Sequence, residues 1–163
     1  YIYFRGVFMK GNPVILDHLA VVLGNEMVAL NQYYLHAKML KNWGFIKLSE
    51  KMYKESIEEM IHADKLIERI LFLEGRPVME VIGKLAIGTD APKMFHNDLK
   101  LELKAINDLK AAIHDCDEHK DYVSQSLFQN IIDQEDPHVE WLESQLKLIE
   151  SVGLENYLQS QIV

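Results

Sequence analysis

Four stretches of this chain place apolar residues in steps that alternate four and three, and each breaks the stripe with glutamate. The first runs Leu19, Leu23, Glu26, Leu30, Tyr33, Ala37 and Leu40. The second runs Leu48, Met52, Glu55, Glu59, His62, Leu66 and then Ile70 or Leu73. The third is Phe95, Leu99, Glu102, Ile106, Leu109, Ile113 and Cys116, and the fourth Phe128, Ile131, Glu135, His138, Leu142 and Ile149. This spacing is the inward stripe of a bundle helix. An ionised carboxylate in such a stripe is unfavourable unless it is paired or metal-bound. The pattern therefore predicts an all-α bundle and a polar centre inside it.

Local signals bound the helices. Asn12 before Pro13 is an N-cap followed by proline at the first helical position. Trp43-Gly44 closes the first helix with a glycine C-terminal signal, and the short connection after it makes helices one and two antiparallel neighbours. Glu74-Gly75-Arg76-Pro77 ends the second helix, and Asp90 can cap the third. Residues 75–90 have little periodicity and, extended, reach roughly 50 Å. A helix of about 30 residues is roughly 45 Å long. The linker can therefore cross the bundle and set helices two and three parallel. That single long crossover is the ferritin-like topology rather than simple up-down-up-down. Leu154 to Gln161 is expected to form a short fifth helix.

Glu59-x-x-His62 and Glu135-x-x-His138 each place a carboxylate and an imidazole on one helical face. With Glu26 and Glu102 they make six residues aimed at one core. Four carboxylates and two imidazoles suit iron or manganese, and also zinc. A Glu from each of two helices, with Glu-x-x-His from the other two, is the known ligand pattern of di-iron and di-manganese bundles. A lone Glu-x-x-His is common by chance; the whole set in core slots is specific. The competing reading is a set of solvated charges on a loosely packed bundle.

Other residues are less determined. Tyr33 suits a hydrogen bond to a ligand, an electron-donor role, or plain core packing. Glu55 suits either a relay for iron or an acceptor bonded to a ligand. Cys116 reads as buried core. His18, His36, His96, His114 and His119 match no paired spacing and receive no role. Met60 belongs to a second stripe on helix two, with Tyr53, Ile57, Ile67 and Leu71, interrupted by Asp64. A helix with two apolar faces buries both, which predicts a two-fold subunit contact. From spacing alone Met60 is interface packing.

The 163 residues suit one domain, and a net charge of −8 argues against a nucleic-acid partner. A single cysteine excludes an intrachain disulfide framework and fits a reducing cytoplasm. No apolar run was expected to approach a membrane span. Residues 1–8 read as an upstream leader or expression scar before Met9, the alternative being an ordered arm, and 9–163 read as the bundle domain.

From Met9 onward the sequence resembles bacterioferritin. The stretches that carry the resemblance are 23–36, LGNEMVALNQYYLH; 41–44, KNWG; 62–75, HADKLIERILFLEG; and 153–161, GLENYLQSQ. The resemblance implies a hollow shell of twenty-four subunits built from two-fold dimers. It implies a ferroxidase site in each subunit, with Glu26, Glu59, His62, Glu102, Glu135 and His138 as ligands and Glu59 and Glu135 bridging. It implies haem b at the dimer interface, held by a methionine from each subunit. Met60 matches that position, so the resemblance replaces the packing reading. Two thioether ligands leave no vacant position for oxygen and suit electron transfer. The implied function is oxidation of Fe(II) by dioxygen or hydrogen peroxide, storage as a ferric mineral, and haem-assisted release with a ferredoxin-like reductant.

Three departures stand out. Lys54 and Glu58 replace a His and an Asp that form an inner-surface iron site in some relatives, so no such site is expected. Pro137, beside His138, lacks the N–H of a helix bond and is expected to kink helix four and let His138 swing. Residues 1–8 have no counterpart. The alternative functions are a non-storage di-iron redox enzyme of peroxidase type, a haem electron carrier using only Met60, and a DNA-protecting mini-ferritin. The last places iron between subunits and lacks this in-bundle set.

Overall fold

The computed structural model describes residues 11–79 and 83–162. The N-terminal segment expected to be a leader lies outside the described residues. Among the described residues the helices run, in order, α1 Pro13–Asn42, α2 Ile46–Phe72, α3 Ala91–Glu118, α4 Tyr122–Val152 and α5 Leu154–Gln159. No strand occurs among the described residues.

The expected caps form. Asn12 accepts a hydrogen bond from the Val14 N–H at 2.9 Å, and Asp90 accepts from the Lys93 N–H at 2.9 Å. Asp121 does the same for Ser124 at the start of α4. Gly44 has φ 88°, a left-handed conformation that a side chain disfavours, and it turns the chain from α1 into α2.

Cross-helix contacts fix the directions. Gly11 bonds Leu73, and Glu26 meets His62, so α1 and α2 are antiparallel. His18 meets Asp115, Asn25 meets Asp108 and Gln32 meets Asp98, so α1 and α3 are antiparallel too. Helices α2 and α3 are therefore parallel, joined by the long crossover that begins after α2. Arg69 bonds Ser124 and Asp121, and His62 approaches Gln134, which sets α4 antiparallel to α2. At the far end α5 folds back over the α1–α2 turn. Buried Tyr157 donates to Gln145 at 2.9 Å, and Lys47 reaches the Ser160 carbonyl.

Two apolar clusters sandwich the polar centre. One contains Leu19, Leu23, Leu66, Ile70, Leu109 and Phe128; the other contains Tyr33, Leu40, Met52, Phe95, Leu142 and Tyr157. Cys116 is buried in the first, as expected.

The seams shift in three places. Leu30, Leu99 and Ile113 are only half-buried, while Ala29, Asp98 and Ala112 beside them are buried. At two of these slots helices close on small alanines, and at the third a polar clasp occupies the core. Asp98 accepts from Gln32 at 2.7 Å and lies 3.0 Å from His36 Nδ1. The Gly88 N–H donates to His36 Nε2 at 3.1 Å, so the ring proton sits on Nδ1, toward Asp98. The Ala86 N–H bonds Gln32. His36, assigned no role from spacing, thus ties the crossover to α1 and α3. Gly88 is required there, because a Cβ would lie 2.3 Å from the Met94 nitrogen.

Helix α1 also corrects the expectation about apolar runs. It carries a window of mean hydropathy 1.5, long and apolar enough to cross a membrane by length and composition. Here its inner face carries buried Glu26, Gln32 and His36, each with a partner across the bundle. That is the character of a core helix.

Candidate metal centre

Helices α1 to α4 each deliver their seam glutamate to the middle of the bundle, where the apolar clusters leave a polar layer. Glu26, Glu59, His62, Glu102, Glu135 and His138 are all buried, at 2 to 3 % exposure. The structure brings all six together. They fall into two groups, Glu26–Glu59–His62–Glu135 and Glu59–Glu102–Glu135–His138, each able to offer ligand atoms within 4.8 Å of one another. Glu59 and Glu135 belong to both.

The two histidines differ. His62 Nδ1 lies 3.1 Å from Glu26, 3.2 Å from Glu135 and 3.3 Å from Glu59, and its Nε2 lies 3.3 Å from the Gln134 carbonyl oxygen. Both ring nitrogens face acceptors, so the ring is an imidazolium. His138 Nδ1 lies 3.4 Å from Glu102 and 3.5 Å from Glu55, but neither ring nitrogen makes a hydrogen bond. One oxygen each of Glu102 and Glu135 is likewise buried without a hydrogen-bond partner. Buried polar atoms left unsatisfied are unfavourable by about 1–3 kcal/mol each. A cation among them would receive their lone pairs, so the donor set fits a metal pair.

The electrostatics point the same way. Burial raises Glu59 and Glu135 to about 8 and Glu102 to about 7 against hydrogen bonds that lower them. Burial raises Glu26 as well. Burial opposes protonation of His62, but the adjoining carboxylates of Glu135, Glu26 and Glu59 win and push it up to about 12. Without metal, the centre therefore neutralises itself with protons.

Around the six, Tyr33 is fully buried with its hydroxyl unpartnered, and its ring meets His138 edge-on at 5.1 Å. It packs on a ligand candidate rather than bonding a carboxylate. Glu55 is buried and pairs with Lys51 as well as facing His138. Helix α4 continues through Pro137 as one element. The missing N–H is accommodated where Pro137 and Asp133 line an open cleft. Met60 points outward, 49 % exposed, on the face of α2 that also carries exposed Tyr53 two turns earlier. Lys54 pairs with Glu58 at 3.4 Å, as a cation rather than a metal ligand.

A crossover four-helix bundle with six such residues at its centre defines the class of ferritin-like proteins. The comparisons with known proteins agree. A family model of the ferritin-like domain matches residues 16–152. The chain is 45 % identical over 155 residues to a bacterial ferritin of Pseudomonas aeruginosa, covering 94 % of this chain and all of that protein. It is 42 % identical over 151 residues to a bacterioferritin of Brucella melitensis, covering 93 % and 94 %. It is 41 % identical over 149 residues to bacterioferritin BfrA of Mycobacterium tuberculosis, covering 91 % and 94 %. The chain belongs to the ferritin family, among its bacterioferritins and bacterial ferritins.

Proposed function

We propose that this protein is a ferroxidase that stores iron, with Fe(II) as substrate at the buried carboxylate centre. Iron storage follows from the family. The observation that carries the finer reading is the pair of overlapping ligand groups sharing Glu59 and Glu135. Glu26 and His62 would hold one Fe(II), Glu102 and His138 the other, and the two shared carboxylates would bridge. Four carboxylates offset the charge of two divalent ions, which removes the penalty of burying either alone.

Each Fe(II) gives up one electron. The pair reduces dioxygen to hydrogen peroxide, or hydrogen peroxide to water, with two protons consumed in either case. The protons held on His62 and the carboxylates leave as metal enters. The Fe(III) product hydrolyses and is stored as a ferric oxyhydroxide or phosphate mineral. Glu102→Ala should slow Fe(II) oxidation, followed by absorbance of the ferric product, by more than the roughly 10–100-fold typical of losing an outer-sphere partner. Unchanged kinetics would sink the ferroxidase centre.

Storage requires a container. The family supports a homo-oligomeric shell, for which twenty-four subunits in two-fold dimers is the proposed form. Exposed Tyr34 on α1, beside Tyr53, with Tyr53 and Met60 on α2 give apolar side chains to the face such a dimer needs. Met60, with its counterpart in a second subunit, would hold haem b by two thioethers. Bound there, haem would carry electrons toward the stored iron from a ferredoxin-like reductant. Met60→Leu should abolish the haem absorbance band. A cytoplasmic setting fits the reducing chemistry and the lone buried thiol.

A further inference from the structure

Beside the metal centre lies a cleft of about 460 Å³ whose lining grades from the surface to the site. Lys54 at its rim has a side chain 72 % exposed, while Glu55 and His138 are 4 % and 2 % exposed. Glu55 joins the two ends. One of its oxygens lies 3.5 Å from His138 Nδ1, and the other is paired with the ammonium of Lys51. That ammonium also sits 5.2 Å from the centre of the Trp141 ring on α4. A carboxylate on one side and a π face on the other hold the charge in place.

A fixed cation thus occupies the one carboxylate that links this cleft to an unpartnered ligand nitrogen. We propose that Lys51 is an electrostatic latch on the route of divalent cations through the cleft to His138. It occupies Glu55 until an incoming hydrated dication displaces it. This rests on the metal reading of the centre.

Helix stabilisation explains the pair less well. Lys51 precedes Glu55 by four residues, and that order is the weaker one for an i,i+4 pair, because the helix dipole favours acid first. As helix stabilisation alone, an i,i+4 pair contributes only about 0.2–0.5 kcal/mol. A charge pinned over a route acts differently. It repels each arriving dication, an effect that salt screens.

The test uses Co(II), which does not turn over, added to the intact metal-free protein in a stopped-flow absorbance experiment. Lys51→Met keeps the stem over Trp141 and removes the charge. It should load Co(II) roughly threefold to tenfold faster than wild type at low salt, the size of one partly screened charge. The advantage should shrink as salt is added. Lys51→Arg should load slowly, like wild type, because it restores the cation. Glu55→Gln in the Lys51→Met background should reverse the gain by removing the carboxylate that receives the ion. Equal rates for wild type and Lys51→Met at low salt overturn the latch, as does Lys51→Arg loading as fast as Lys51→Met. Co(II) binding that is present but insensitive to Glu102→Ala instead overturns the metal reading, and the latch with it.

Discussion

The two halves of the centre carry the same ligand types yet are held differently. On the α1–α2 side, His62 is enclosed by three carboxylates and Gln134. On the α3–α4 side, His138 has no hydrogen bond, follows a proline inside its helix, and lines an open cleft. A repeated sequence pattern has produced one histidine held by hydrogen bonds and one left without any. The difference teaches that equal ligand sets need not bind equally. The surroundings decide what each side must give up to take a metal: His62 is held by hydrogen bonds that a metal must replace, while His138 makes none.

The harshest way to erase the comparison is to remove a residue both halves share. Glu59→Gln should weaken both metals at once. Breaking a buried charge pairing is unfavourable by about 3–5 kcal/mol, on the order of a hundredfold to several thousandfold in affinity. Calorimetric titration with Zn(II) checks this. Loss of a single site, with the other unchanged, would show that Glu59 serves one half only.

Removing each histidine separately should expose the asymmetry without metal. His62→Ala strips hydrogen bonds from two buried carboxylates, Glu26 and Glu59, each loss worth about 1–3 kcal/mol, and removes the ring beside Glu135. His138→Ala removes a ring that makes none, leaving only a packing defect. The metal-free melting temperature should therefore fall further for His62→Ala. Equal falls would break the contrast.

Protons provide a gentler probe. Glu59 and Glu135 rise from 4.5 to about 8 and Glu102 to about 7 on folding, through burial. His62 rises from 6.5 to about 12 through its carboxylate partners, against burial. In every case the folded chain binds more protons than the unfolded one. Stability of the metal-free protein is thus highest at low pH within this window and falls as pH rises from about 5 through 8. Metal replaces those protons, so the loaded protein should lose less over the same range, and the gap in melting temperature should widen with pH. Zn(II) titrations in buffers of different ionisation enthalpy should show proton release that shrinks between pH 6.5 and 9 as the carboxylates ionise. Release should not vanish, because His62 keeps its proton to about 12. A constant release would put the protons elsewhere.

How much of this could be read from residues alone follows from what each residue leaves in the pattern. The six ligand candidates were legible because a charge in an apolar stripe is an anomaly at a known period. The crossover was legible from length and the absence of periodicity. The His36–Asp98 clasp was not, because Asp98 and His36 sit in different helices and neither spacing nor composition pairs them. Leu30 and Leu99 misled because periodicity locates a face to within a residue, and backbone approach at Ala29 decides the rest. Lys51 left no mark at all: a lysine four before a glutamate is ordinary on any helix. Only the fold, bringing Trp141 and His138 beside it, gives it a setting.

The smallest expected effect isolates the reason the second half is loose. Pro137 offers no N–H to the Asp133 carbonyl one turn back, and His138 is the next residue. Pro137→Ala restores that donor without touching any ligand. If the missing bond is what frees His138, the two Co(II) steps, unequal in wild type, should draw together by about threefold, roughly 0.7 kcal/mol. The gain should fall on the step that Glu102→Ala removes. Two equally tight steps in wild type would show that the halves do not differ; unequal steps that Pro137→Ala leaves unchanged would place the looseness of this half in the open cleft rather than in the helix. Lys51 and Glu55 would then be the residues that set it.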